Sequence, residues 1–161
     1  MSKAAQVPAT AATRLLKEKK VPFEMRLYSY VDHGGTSHAA RELDIEEHAI
    51  VKTLVFEDES KRAFLVLMHG DKEVSLKELA RQLGVKTVTP CAPEAATRHT
   101  GYQVGGISPF GTRKRLPVYA QRSILELPEI CINAGKRGAL AALHPKYLRE
   151  LLDAVPVDAA R

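Results

Sequence analysis

Two apolar runs set close together do most to limit the folds open to this chain. Residues 50–56 (IVKTLVF) are β-branched or apolar almost throughout, residues 57–62 are polar, and residues 63–68 are apolar again. Short runs of this kind on either side of a polar turn read as a β-hairpin. The flanking sequence supplies elements to cover it. Residues 11–20 carry Ala12, Leu15 and Leu16 on one helical face until Pro22 ends the pattern, and Phe23, Met25 and Leu27 then alternate with polar neighbours as in a half-buried strand. The Gly34, Gly35 pair is a turn, with Thr36 or Ser37 placed to cap a helix through Leu43.

Further along, Ser75 and Glu78 match a reciprocal capping box, opening a helix that runs to Leu83 and stops at Gly84. A strand is expected at 86–89, a helix at 93–98, and strands at 118–120 and 130–134. A turn at 135–138 leads to one more strand and a closing helix opened by Pro145. Short strands broken irregularly by helices indicate an α+β fold with a curved mixed β-sheet. One domain over residues 11–161 is expected, behind a flexible tail at 1–10.

Composition excludes several classes. The chain has 161 residues, two cysteines (Cys91 and Cys131) and no C-x-x-C pair, so neither a disulfide scaffold nor a zinc ribbon is indicated. No apolar stretch approaches the ~20 residues of a membrane helix, and the N-terminus lacks the order of a signal peptide. A cytoplasmic protein is expected. The net charge of +5 is compatible with a nucleic-acid partner without requiring one.

The densest candidate for chemistry is 101–111 (GYQVGGISPFG), including Gly101, Tyr102, Gly105, Gly106, Ile107, Ser108 and Pro109. Glycines let successive N–H groups converge on an oxygen, and such a loop could stabilise charge on an ester carbonyl; a tight structural turn is the alternative. Ser108 fails the G-x-S-x-G elbow, since Phe110 replaces the last glycine and Pro109 lacks an N–H, which disfavours a serine esterase. Lys52 is costly inside an apolar strand and must reach water, a carboxylate or a phosphate. Arg113, Lys114 and Arg115, with Lys136 and Arg137, could contact phosphates or simply be solvated. The six histidines show no metal spacing; His33, beside Asp32, is the one to test. Tyr28 and Tyr30 end a strand and read as packing residues, with stacking on a terminal base as the functional alternative.

On these residues the sequence resembles the YbaK/EbsC family of aminoacyl-tRNA deacylases and the related editing domain of bacterial prolyl-tRNA synthetases. The likeness spans nearly the whole chain. It is most specific at 51–54 (VKTL), 101–109 (GYQVGGISP), 114–117 (KRLP) and 135–138 (GKRG). The resemblance implies a barrel-like mixed sheet surrounded by helices. It implies Lys52 as the essential lysine, residues 105–109 as the G-x-x-x-P substrate loop, and Tyr28 in the pocket wall. Gly101, Tyr102, Asn133, Gly135, Lys136 and Arg137 become substrate-binding positions, and Arg113, Lys114 and Arg115 tRNA contacts.

The implied partner is aminoacyl-tRNA, with tRNA(Pro) first and prolyl-tRNA synthetase as a possible presenter. No metal, cofactor or protein nucleophile is implied: in Cys-tRNA(Pro) deacylases the substrate thiol attacks its own ester. Cys-specific members carry a serine at the place of Asn133 and an acid at that of Leu140, so alanine or serine specificity stays open. A non-catalytic tRNA- or synthetase-binding module is the reading from another class.

Overall fold

The computed structural model describes residues 6–161, so the tail expected at 1–10 lies partly outside the described residues. In chain order the elements are α1 (Ala11–Glu18), β1 (Glu24–Leu27), α2 (Gly35–Leu43), β2 (Ile50–Asp58), β3 (Ala63–His69), α3 (Leu76–Leu83), β4 (Val88–Pro90), α4 (Pro93–Thr100), β5 (Val118–Gln121), β6 (Ile130–Lys136), β7 (Ala139–Leu143), α5 (Lys146–Leu152) and β8 (Val155–Val157). Short 3-10 turns occupy Glu47–Ala49 and Arg122–Glu126.

The expected hairpin is the centre of the sheet. β2 and β3 pair antiparallel from Val51 opposite His69 to Glu57 opposite Ala63. Around them runs an eight-stranded mixed sheet in the order β1-β7-β6-β2-β3-β5-β8, with β4 paired to β2. The fold is thus the mixed α and β arrangement expected, with five helices around one sheet. Among the described residues no helix is long and apolar enough to cross a membrane.

One irregularity of the sheet matters for function. On the side away from β3, β2 meets β6 only at Ile50 and Val51, and β4 only from Phe56 onward. Residues 52–55 therefore have no strand beside them there, and β2 and β6 diverge around a gap. Residues two apart on a strand share a face, so Lys52 shares one with Ile50 and Phe56. That face is covered in two separate patches. Ala39 of α2 packs with Ile50, Cys131 and Leu140, while Leu79 and Ala80 of α3 pack with Phe56, Phe64 and Val66. Lys52 lies between the patches, which is how a lysine sits in an apolar strand. The opposite face holds the main core, where Val51, Val55, Leu65 and Leu67 meet Leu16 of α1 and Leu148 of α5.

Several local expectations are corrected. α2 begins at Gly35 with Gly34 as cap and no side-chain cap bond; the Thr36 hydroxyl instead donates to Glu47 at 2.7 Å. Ser75 does accept from the Glu78 N–H, but the Glu78 carboxylate turns to Arg81 and Gln82. The Ser75 N–H goes to the Ala159 carbonyl, so the box is one-sided. Leu27 is 45% exposed, because β1 is an edge strand with only β7 beside it. β8 was not expected: Pro156 interrupts its apolar residues, a signal that argues against a strand except at a sheet edge, which is where β8 lies.

Candidate active site

The gap beside β2 is the mouth of a cleft of about 400 Å³. Lys52, Thr53 and Leu54 form one wall, Asn133 and Leu140 another, α2 with the preceding segment a third, and Val104, Gly105 and Ile107 close it. Lys52 and the glycine loop thus share one cavity. The Lys52 ammonium donates to the Lys72 carbonyl at 2.6 Å, which fixes its reach. Thr53 Oγ1 is the one buried side-chain oxygen without a partner among the described residues.

The loop is held by close packing. The Gly106 N–H donates to the Gln103 carbonyl, and a Cβ at Gly106 would sit 2.8 Å from the Arg137 nitrogen. Gly105 has φ +94, and a Cβ there would meet the Tyr30 hydroxyl at 2.7 Å. A larger residue at either position would force its neighbours to shift, and at Gly105 it would also meet a backbone conformation that side chains rarely adopt. Among the described residues, the amides of Gly105 and Ile107 meet no protein acceptor, leaving two donors beside the cleft. Asn133 joins the loop to the β6–β7 bulge. Its Oδ1 accepts from the Gly135 and Lys136 amides at 2.7 and 3.2 Å, and its Nδ2 donates to the Gly105 carbonyl. Leu140 lies directly across the β6–β7 ladder from Asn133. The two departures from the Cys-specific pattern are therefore one cross-strand pair in the cleft wall.

Other expected site residues lie behind the surface or beyond the cleft. Ser108 is fully buried, its Oγ accepting from the Phe110 N–H, and it does not line the cavity. Tyr102 is buried, its hydroxyl donating to the Phe110 carbonyl at 2.5 Å, and burial pushes its pKa up to about 12. Both hold the loop from beneath, as does buried Pro109. Gly101 ends α4 with φ +81. Lys136 is exposed outside the cleft, and Gly135 packs on the Tyr102 ring. Arg113, Lys114 and Arg115 are exposed and do not line the cleft; Arg115 pairs with Asp153 at 2.7 Å.

Tyr28 lines the cleft, its ring edge-on to His38 at 6.0 Å, and burial, then Tyr30, raises its pKa. His33 and Asp32 line it too, 3.7 Å apart and largely exposed. The sequence pointed less clearly to Tyr30, Val31, Thr53 and the α2 residues Thr36, His38 and Ala39. The Gly-Gly turn marks where α2 starts, but nothing in the sequence shows which face of it meets the cleft.

A second polar cluster lies beyond the sequence signals. His48, His69 and Asp71 bring ligand-type atoms within 4.8 Å of one another. The imidazoles stack at 3.7 Å with planes 8° apart, so their in-plane lone pairs run parallel and do not converge on one ion. His69 Nδ1 is 2.7 Å from the His48 carbonyl and its Nε2 is 2.6 Å from Ser123 Oγ. His48 Nδ1 is 2.9 Å from Asp71. This is a hydrogen-bonded brace. Burial lowers the His69 pKa, and the His48 carbonyl opposes that shift. Burial, the largest single influence, would raise Asp71, but the hydrogen bond to His48, the nearby imidazoles and a backbone hydrogen bond together hold the carboxyl below its ordinary value.

The fold is that of a tRNA-editing protein: the profile of the aminoacyl-tRNA editing domain matches residues 34–151, and the chain belongs to that family. It is 32% identical, over 94% of its length and 93% of the relative's, to a proposed Cys-tRNA(Pro)/Cys-tRNA(Cys) deacylase, EbsC, of Enterococcus faecalis. It is 25% identical to part of the proline–tRNA ligase of Limosilactobacillus fermentum, covering 80% of this chain and 23% of the ligase. A solved structure of a proposed trans-editing enzyme for prolyl tRNA synthetase superposes with a TM-score of 0.83 at 27% identity, over 96% of this chain and 99% of that one.

Proposed function

We propose that this chain is a trans-editing aminoacyl-tRNA deacylase that clears mischarged tRNA, with Cys-tRNA(Pro) as its leading substrate. Residues 11–161 act as one domain, in the cytoplasm, on tRNA that a prolyl-tRNA synthetase has charged. The observation that supports this most is that Lys52, Gly105 and Ile107 line one cleft of about 400 Å³, within the usual size of small-molecule sites.

The ester carbonyl rests against the open amides of residues 105 and 107, which stabilise the negative charge that develops on it. Lys52 adds a positive charge across the cleft. Ser108 is buried outside the cavity, so the attacking group is water or belongs to the substrate. With cysteine, the thiol sulfur bonds to the carbonyl carbon, the ester C–O bond to ribose breaks, and the thiol proton passes to the departing ribose oxygen. The product is a thiolactone. Holding the groups in attack geometry supplies the acceleration. Leu140, backed by Ile50 and Ala39, gives the pocket an apolar wall suited to a small uncharged side chain.

The test is amino-acid release by the purified protein from Cys-, Ala-, Ser- and Pro-tRNA(Pro), with mass analysis of the product. Fastest release from Cys-tRNA(Pro) supports the reading. Release only from the alanyl or seryl forms keeps the deacylase and replaces the amino acid. Binding of tRNA without release from any form overturns the enzyme in favour of a binding module.

A further inference from the structure

We infer that Tyr30 and Arg137, at the mouth of the cleft, form the platform that docks the 3′-terminal nucleotide of the tRNA, with the base stacked on the guanidinium and a phosphate held by its outer nitrogens. This rests on the deacylase reading and extends it from the amino acid to the nucleotide that carries it.

Arg137 is exposed yet held in place. Its Nε donates to the Val104 carbonyl at 2.9 Å, and its guanidinium carbon lies 4.9 Å from the centre of the Tyr30 ring. The fit depends on Gly105, where a Cβ would come within 3.1 Å of Arg137 Nε and 2.7 Å of the Tyr30 hydroxyl. An ordered surface arginine is usually held by a carboxylate. Here, among the described residues, Arg137 has no ion pair, and its terminal nitrogens have no protein acceptor. The guanidinium carbon lies over the Tyr30 ring, and the side chain is otherwise exposed.

Beside it, Val31 and Val104 are 48% and 43% exposed and line the same cleft. A flat cation layered on an aromatic ring, flanked by exposed apolar side chains, matches a nucleobase joined to a phosphate: bases stack on aromatic and guanidinium planes, and arginine forks match phosphate oxygens. Position agrees as well. Gly105 lines the cleft and packs against both platform residues, so a ribose esterified to an amino acid held there delivers its own base and phosphate to this rim.

The experiment compares binding of two uncharged acceptor-stem minihelices, one ending CCA and one whose terminal nucleotide lacks only its base, by fluorescence anisotropy at one fixed salt concentration. Wild type, Tyr30→Ala, Arg137→Ala and Arg137→Lys are used, each checked by thermal melting, and wild-type deacylation is assayed in parallel. Wild type is expected to prefer the CCA end by about tenfold, the scale of one stacked base. Tyr30→Ala and Arg137→Ala abolish that preference. Arg137→Lys restores overall affinity but not the preference, because an ammonium binds phosphate without offering a plane. In deacylation these variants raise KM more than they lower kcat. Equal wild-type binding of the two ends, or a preference that survives Tyr30→Ala, overturns the platform while wild-type deacylation leaves the enzyme standing. Absent deacylation removes the enzyme reading and the platform with it.

Discussion

Two polar clusters lie near the start of β2, and they differ in what they leave open. In the His48, His69, Asp71 cluster, both His69 nitrogens and Nδ1 of His48 have protein partners. In the cleft, the amides of Gly105 and Ile107 and the outer nitrogens of Arg137 have none among the described residues. Gly105 and Arg137 are exposed, so water satisfies their open groups until a ligand in the cleft takes its place. The closed cluster supports the open one. Asp71 precedes Lys72, whose carbonyl holds the Lys52 ammonium, and the Thr36 hydroxyl braces the same turn through the Gly70 carbonyl. Density of polar residues is therefore a weaker guide to chemistry than incomplete pairing.

Substitutions in the two regions should separate activity from stability. The largest effect is expected for Lys52→Ala, with deacylation falling about 10²–10³-fold, the scale of removing one group that stabilises developing charge. Because Lys52 sits between core patches, its melting temperature should stay close to wild type; full activity in this variant would remove the cleft from the chemistry. His69→Gln should do the reverse, lowering the melting temperature while the folded protein keeps its rate.

Gly106→Ala tests the packing of the loop. The new methyl group would lie 2.8 Å from the Arg137 nitrogen and 2.9 Å from the Lys136 carbonyl carbon. A loss of about 1–3 kcal/mol in denaturant unfolding is expected, as for other overpacked sites, together with reduced turnover. An unchanged unfolding midpoint would show that the loop is looser than its contacts imply.

Asn133→Ala removes the acceptor for two backbone amides and should cost about 1 kcal/mol or somewhat more. Asn133→Asp keeps that acceptor and should recover most of the stability. Equal losses in both variants would assign the effect to the Nδ2 contact with Gly105.

The smallest effect is on pH dependence. Burial, the main cause, lowers the His69 pKa below its usual 6.5, so the unfolded chain takes up that proton first. Its contribution is complete above about pH 6.5 and is lost as pH falls from there toward the folded value. Melting temperatures at about pH 7.5 and 5.5 should drop more in wild type than in His69→Gln; parallel drops would show that His69 titrates normally. Asp71, held low, acts only at more acidic pH, where its protonation removes stability as pH falls through its depressed value.

Much of this was legible because local rules govern it. The hairpin follows from its β-branched runs, α3 from Ser75 and Gly84, and the loop from its glycines. What escaped depends on distant pairing. β8 is a strand only because β5 offers it an edge. His48 and His69 show no metal-like or helical spacing, yet the antiparallel register that sets Val51 opposite His69 brings them together. Ser108 and Tyr102 stand in the right motif, and the sequence could not show that their side chains turn under the loop, where Phe110 engages both. The cleft itself arises because β2 and β6 separate after two pairs, which no local pattern encodes.

The central claim is that an esterified amino acid sits between Lys52 and the amides of residues 105 and 107. The most direct measurement is a crystal structure with a non-hydrolysable 3′-cysteinylamino analogue of adenosine. The account predicts the carbonyl oxygen on the Gly105 and Ile107 amides, the amino acid against Leu140, and Lys52 across from it. An analogue bound elsewhere on the protein, with the cleft vacant at saturating concentration, would contradict it.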